Sequence, residues 1–213
     1  MNYVAFIAAL ALVSAGCGDG DYSSSASSPA ASAAASAAAC PKAWKAGWQR
    51  LANDVGAPVF CPTWMPPEVD AKINGRYKNG RWVDDDKSYL VSFLWLDQDA
   101  GVSREVHVNF RGYPGQTAIP TCESTHSVKG KTIRKPIPCF SDPQPKKRRL
   151  GDVTATVYTA NQGIDEWHVL YAWKRNGSLY TASQHVASPY SYRQVVENLD
   201  RMTKGLVLLQ PTA

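Results

Sequence analysis

Hydrophobic positions change their spacing several times along the chain, and each change marks a boundary. Residues Tyr3 to Ala15 form a nearly unbroken apolar run. A run of about thirteen residues is too short to span a bilayer as a helix and suits the core of a secretory signal peptide. From Gly18 to Ala39 the chain is almost wholly Ala, Ser, Gly and Asp. Ala favours helix, but this tract has no apolar stripe to dock, so a disordered tether is expected. Helical spacing starts at Lys42. Trp44, Trp48, Leu51 and Val55 fall four, three and four residues apart, which predicts a helix ended by Gly56 and Pro58. Pro62, Pro66 and Pro67 then impose a stiff, extended passage around Trp64 and Met65.

Strand patterns follow. Tyr89 to Leu96 is apolar on both faces, which predicts a central strand covered on both sides. Val106, Val108 and Phe110 alternate with His107, Asn109 and Arg111, the pattern of a strand with one wet face. Val153 to Thr159 repeats it. Asn79-Gly80 and Asn176-Gly177 both read as two-residue hairpin turns, where both central residues need positive φ. The second joins Trp167–Arg175 to Ser178–Val186 and is the better signal. Ser191 and Gln194 form a capping box, and Tyr192, Val195, Val196, Leu199 and Met202 make the buried stripe of a closing helix that Gly205 ends. Leu206 to Leu209 continues as an apolar tail.

Runs of strands flanked by helices argue for an α+β fold. The expected form is an antiparallel sheet of about six strands, with an N-terminal and a C-terminal helix on one face. The chain divides into a signal peptide (1–16), a tether (17–39) and one domain (40–213) that carries a long basic, proline-rich loop at 120–150.

Composition adds two constraints. The formal charge of +5 is mild, and much of the excess lies between Lys129 and Arg149. A general nucleic-acid binder spreads its basic residues over a folded face, so no nucleic-acid partner is expected. Of five cysteines, four fall in the domain: Cys40, Cys61, Cys122 and Cys139. An even number in an exported domain predicts two disulfides, with three possible pairings; Cys40–Cys61 and Cys122–Cys139 are favoured. No Cys-x-x-Cys unit occurs, which removes the spacing for thioredoxin-like chemistry and zinc ribbons.

The odd cysteine has its own context. Val13-Ser14-Ala15-Gly16-Cys17 resembles a bacterial lipobox, although Ser14 stands where that motif usually has Leu and no Lys or Arg precedes the apolar run. The resemblance implies cleavage before Cys17 and attachment of acyl chains such as palmitate to its sulfur. The protein is then a lipoprotein on the extracytoplasmic face of a cell membrane. Cleavage within the Ala-rich tract would instead make it secreted or periplasmic.

Candidate sites are few. Lys146, Lys147, Arg148 and Arg149 end the basic loop and suit an anionic partner such as lipid headgroups, a wall polymer or an acidic protein. Trp64, Trp82, Trp95, Trp167 and Trp173 offer apolar area that could line a ligand cavity. His107, His168 and His185 share no ligand-like spacing and read as ordinary strand-surface or half-buried residues, with His107 facing outward. Asp84-Asp85-Asp86 lacks the calcium-loop pattern and reads as a polar turn. Ser178 lacks a nucleophile elbow, and no metal motif or phosphate-cradling glycine loop occurs. No metal, cofactor or catalysis is expected.

Val153–Thr159, Trp167–Trp173, Asn176-Gly177-Ser178-Leu179-Tyr180 and Asn198-Leu199-Asp200-Arg201-Met202 are similar in layout to the superfamily of periplasmic lipoprotein carriers and anti-sigma-factor regulators. That resemblance implies a curved antiparallel sheet with helices over its concave face, and in the carriers a lipid held between them. The functional expectation is a membrane-anchored binding or interaction module for an apolar or lipid ligand or an envelope-protein partner. The alternatives are an envelope sensor or assembly accessory docking through the basic loop, and an exported hydrolase.

Overall fold

The computed structural model describes residues 38–69, 77–97, 104–159, 164–165 and 167–212. The expected leader, Cys17 and most of the tether lie outside the described residues, as does the side chain of Trp82.

The helical periodicity at Lys42 becomes α1, Lys42–Val55, closed by Gly56 in the left-handed conformation at φ 72°. Trp44, Trp48, Leu51 and Val55 are all buried. The closing helix is α2, Tyr192–Lys204, with its Ser191–Gln194 capping box formed in both directions. Val195, Leu199 and Met202 face the core, whereas Tyr192 is exposed.

Between the helices lie β1 (Val59–Pro62), β2 (Tyr77–Val83), β3 (Tyr89–Asp97), β4 (Arg104–Tyr113), β5 (Thr121–Val128), β6 (Lys131–Pro138), β7 (Arg148–Leu150), β8 (Val153–Tyr158), β9 (His168–Arg175) and β10 (Ser178–His185). After α2 comes β11 (Leu206–Leu209). The main sheet has the order β2-β3-β4-β10-β9-β8, and the three-residue β7 extends its edge. All its pairings are antiparallel. The fold is therefore α+β, with six principal antiparallel strands and both helices packed on one face of them.

Alternation sorts the strands into two faces. Tyr89, Val91 and Phe93 of β3, Val106, Val108 and Phe110 of β4, and Val169, Tyr171 and Trp173 of β9 meet the helices. Aromatic rings fill the space between: Trp48 packs edge-on to Phe110 at 5.8 Å, and Phe60 meets Tyr180 at 4.8 Å and Trp173 at 5.4 Å. The apolar tail at Leu206 forms β11, which pairs with β1 and closes the helical side. On the opposite face a smaller cluster gathers Tyr113, Phe140, Tyr158, Leu170, Ala172 and Leu179 beside Cys139.

Three expectations change. Asn79-Gly80 is not a turn but lies inside β2, opposite Phe93 and Ser92. The chain reverses at Asp84–Ser88 instead, where the Ser88 N–H donates to Asp86 Oδ1 at 2.8 Å and Lys87 takes φ 66°. β3 is fully buried on one face only, since Leu90 and Leu94 are half-exposed. The stretch 120–150 is not a loop. Its first part is the β5–β6 hairpin, turned at Lys129-Gly130 with both φ values positive, at 49° and 74°. Such a pair matches the strand twist.

Both favoured disulfides form, Cys40–Cys61 and Cys122–Cys139. They fit an oxidising compartment outside the cytoplasm. Among the described residues no helix is long and apolar enough to cross a membrane.

Candidate functional site

Two features depart from ordinary packing: a polar cluster on the helix-free face of the sheet, and a basic arm beside it.

The polar cluster is built by the β4–β10–β9 pairing. β10 lies between the other two, with His185 opposite His168, and Gln184 opposite Val108 sets the matching register with β4. The alternating pattern of β4 places His107, Asn109 and Arg111 on this face. Three imidazoles therefore meet, with ring centroids 4.3 Å apart for His107–His168, 4.8 Å for His107–His185 and 5.2 Å for His168–His185. The rings lie roughly parallel, 17° to 37° between planes, so their nitrogens do not converge. Among the described residues no group of His, Cys, Asp or Glu is arranged to hold a metal.

Asp165 anchors the cluster from the turn before β9. Its carboxylate accepts from Asn109 Nδ2 at 2.7 Å, Ser183 Oγ at 2.8 Å and Arg111 Nη2 at 3.0 Å. Burial raises its pKa, but the Arg111 charge and hydrogen bond, the His168 charge and the Ser183 hydroxyl outweigh it. The net position is below the usual 3.8. His107 moves down from 6.5, because burial and the neighbouring His185 outweigh Glu105 and Asp165. His107 Nδ1 lies 3.0 Å from Glu105 Oε1, and His185 Nδ1 lies 3.0 Å from the Glu105 carbonyl oxygen. The face expected to be wet is thus a partly buried network, and His107 points into it rather than outward. Ser183, on the same face of β10 as His185, is fully buried and donates to Asp165, so it is no exposed nucleophile.

The basic arm is the β5–β6 hairpin. Its strands pair with each other and join no other sheet. The Cys122–Cys139 disulfide and a Cys139 N–H to Pro120 carbonyl bond at 2.9 Å close its base. Lys129, Lys131, Arg134 and Lys135 are all exposed along it. The second basic group borders a groove of about 370 Å³ formed by Gln144, Lys146, Lys147, Arg148, Arg149 and Leu150. Arg148 is engaged internally with Asp200, which also accepts from the Tyr171 hydroxyl at 2.7 Å. Lys146, Lys147 and Arg149 remain exposed. Lys147 also rims a second groove of about 490 Å³, floored by Phe140, Tyr158, Ala172 and Leu179.

Among the described residues the tryptophans expected to line a cavity have separate surroundings. Trp173 is buried against Phe60 and Tyr180, Trp64 is half-buried under the Arg201 guanidinium at 4.0 Å, and Trp95 packs on the core edge. Trp167 is 79% exposed. Trp173 alone among these four borders either groove.

The chain was compared with protein-family models, curated proteins and solved structures, and nothing matches it.

Proposed function

We propose that this is an exported lipoprotein, held by acyl chains on Cys17 to the outer face of a membrane, whose domain is a binding module docking on an anionic partner through its basic arm and groove. The observation that carries this reading is the arm itself. An isolated two-stranded hairpin is marginal in water, and this one gains order from a disulfide at its base rather than from a sheet. Its charged side chains are basic except Glu123, and Lys146, Lys147 and Arg149 add to that charge in the segment that follows it. Such surfaces attract anionic partners and are screened by salt. The lipobox-like segment and the Ala/Ser tract support the placement, and the two disulfides agree with it.

The test is in-cell photo-crosslinking from positions 131 and 147 of the full chain. Specific adducts are expected, and they should disappear when the remaining basic positions among Lys131, Lys135, Lys146, Lys147 and Arg149 are reversed to Glu. Absence of any specific adduct from both positions overturns the reading. In parallel, Cys17→Ser should move the protein from the membrane to the soluble fraction.

The groove of about 490 Å³ favours a second reading, in which the ligand has an apolar part that lies on Phe140, Tyr158 and Leu179. Native mass spectrometry of the protein purified without detergent tests it. A bound amphiphile is expected, and an empty protein counts against it.

A further inference from the structure

The register of the arm sorts its side chains into two unlike faces. Cys122 lies opposite Ile137, Ser124 opposite Lys135, His126 opposite Ile133 and Val128 opposite Lys131, and these pairs share one face. The other face carries Glu123, Thr125, Ser127, Thr132 and Arg134, and there Arg134 is paired with Glu123 at 3.5 Å. The first face therefore holds the uncompensated cations Lys131 and Lys135 together with the exposed apolar side chains Val128, 48% exposed, and Ile133, 45% exposed. Lys129 caps it at the tip.

We infer that this face contacts a membrane: the β5–β6 arm lies on the headgroup layer of an anionic phospholipid bilayer, with Val128 and Ile133 entering the apolar boundary and Lys129, Lys131 and Lys135 meeting lipid phosphates. The inference rests on the docking role proposed above and names its partner. The mixture of apolar and basic side chains is what a bilayer interface accepts, since apolar area and attraction to anionic lipid add. Long lysine stems can lie along the apolar boundary while their charges stay in water. A protein partner asks for something different, namely a packed centre dominated by Trp, Tyr or Arg. This face has no aromatic ring but the His126 imidazole, which Ser124 Oγ meets at 3.3 Å, and Arg134 is on the other side. A disulfide at the base holds the strands paired before contact, which lowers the ordering cost of binding.

The experiment uses the chain from Gly18 to Ala213, oxidised, which lacks the acylated cysteine and so reports the arm alone. Cosedimentation is measured with vesicles of phosphatidylcholine, pure or mixed equally with phosphatidylglycerol. Binding to the mixed vesicles and not the neutral ones is expected, weakening as salt is raised. Lys131→Ala and Lys135→Ala should each weaken it about fivefold, and Val128→Glu with Ile133→Glu should abolish it. Near-ultraviolet circular dichroism checks that the body of each variant is unchanged; these exposed positions take no part in the core. Equal binding to both vesicle types, or a loss produced by reversing Lys146, Lys147 and Arg149 but not by the arm variants, overturns the inference. No vesicle binding alongside protein adducts at position 131 in cells overturns the membrane contact and leaves the docking role standing. No vesicle binding and no adducts removes both.

Discussion

Arg111 and Asp165 form an ion pair across the sheet surface, Nη2 to Oδ1 at 3.0 Å, with side-chain exposures of 20% and 3%. Asp165 adopts φ 52°, so the turn that carries it is held in a conformation few residues accept. The pair ties that turn to β4, and the histidine cluster sits beside it. Asp165→Asn isolates the charge, because Asn tolerates positive φ as Asp does and preserves the shape. Loss of one partner leaves Arg111 partly buried and uncompensated, so a destabilisation of about 3 kcal/mol is expected in urea unfolding. Arg111→Met with Asp165→Asn should recover part of that loss. Additive losses in the double variant would show that the two side chains do not act as a pair.

His107 makes stability depend on pH. His107 is shifted down in the folded protein, mainly by burial and then by His185. Below about 6.5 the unfolded chain binds a proton that the folded one resists, so stability is full above that pH and is lost as pH falls through the lowered value. Glu105 and Asp165, the latter paired with Arg111, oppose the shift without reversing it. Chemical unfolding at pH 7.5 and 5.5 should show a drop for the wild type. His185→Gln, which removes the neighbouring imidazole, should make that drop smaller. A wild type equally stable at both values would remove the linkage.

The sequence revealed those parts of the fold whose information is local. The period of α1 and the capping box of α2 are written in consecutive residues, and Asn176-Gly177 sets one hairpin by its own backbone preference, at φ 50° and 74°. Asn79-Gly80 carries the same preference but yields to Asp84–Ser88, where side-chain hydrogen bonds support the turn. The β5–β6 hairpin escaped notice because its strands are exposed on both faces at the tip and show no apolar alternation. The histidine cluster depends on β4 lying beside β10, which no local pattern dictates. One clue was available: a turn at Asn176-Gly177 counts outward to put His168 opposite His185. The basic residues at 146–149 were visible, but the engagement of Arg148 by Asp200 was not, since the partners lie on separate elements.

Gln184 offers a test of the core. It is fully buried on the helical face of β10, opposite Val108 and Val169, and neither its amide nitrogen nor its amide oxygen has a hydrogen-bond partner. A buried, unsatisfied polar group costs about 1–3 kcal/mol. Gln184→Met keeps the length and removes the amide, so a gain of about 1 kcal/mol is expected from the shift in unfolding midpoint at constant slope. A loss of stability would mean that the amide is satisfied in solution.

Removing the Cys122–Cys139 disulfide should separate the stability of the arm from that of the body. Cys122 and Cys139 close a segment of about 18 residues, and on a chain-entropy estimate that closure is worth roughly 3 kcal/mol. The strands it encloses join no other sheet, so their order depends on the closure more than the order of β8, β9 and β10 does. Cys139 itself is buried beside Phe140 and Tyr158, so the substitution must keep its volume small and apolar. Cys122→Ala with Cys139→Ala should therefore open residues 121–138 to limited proteolysis and to fast amide exchange. The amides of β9 and β10 should keep their protection, because the pairing of those strands and the core on their helical face do not include the arm, and only Cys122 and Cys139 at its base touch the smaller cluster on the other face. Vesicle binding should fall with the loss of order in the arm, since paired strands are what bring Val128, Lys131, Ile133 and Lys135 to one face. If the double variant instead lost protection throughout the sheet, the disulfide would be a staple of the whole domain. The arm would then have no stability of its own to lose.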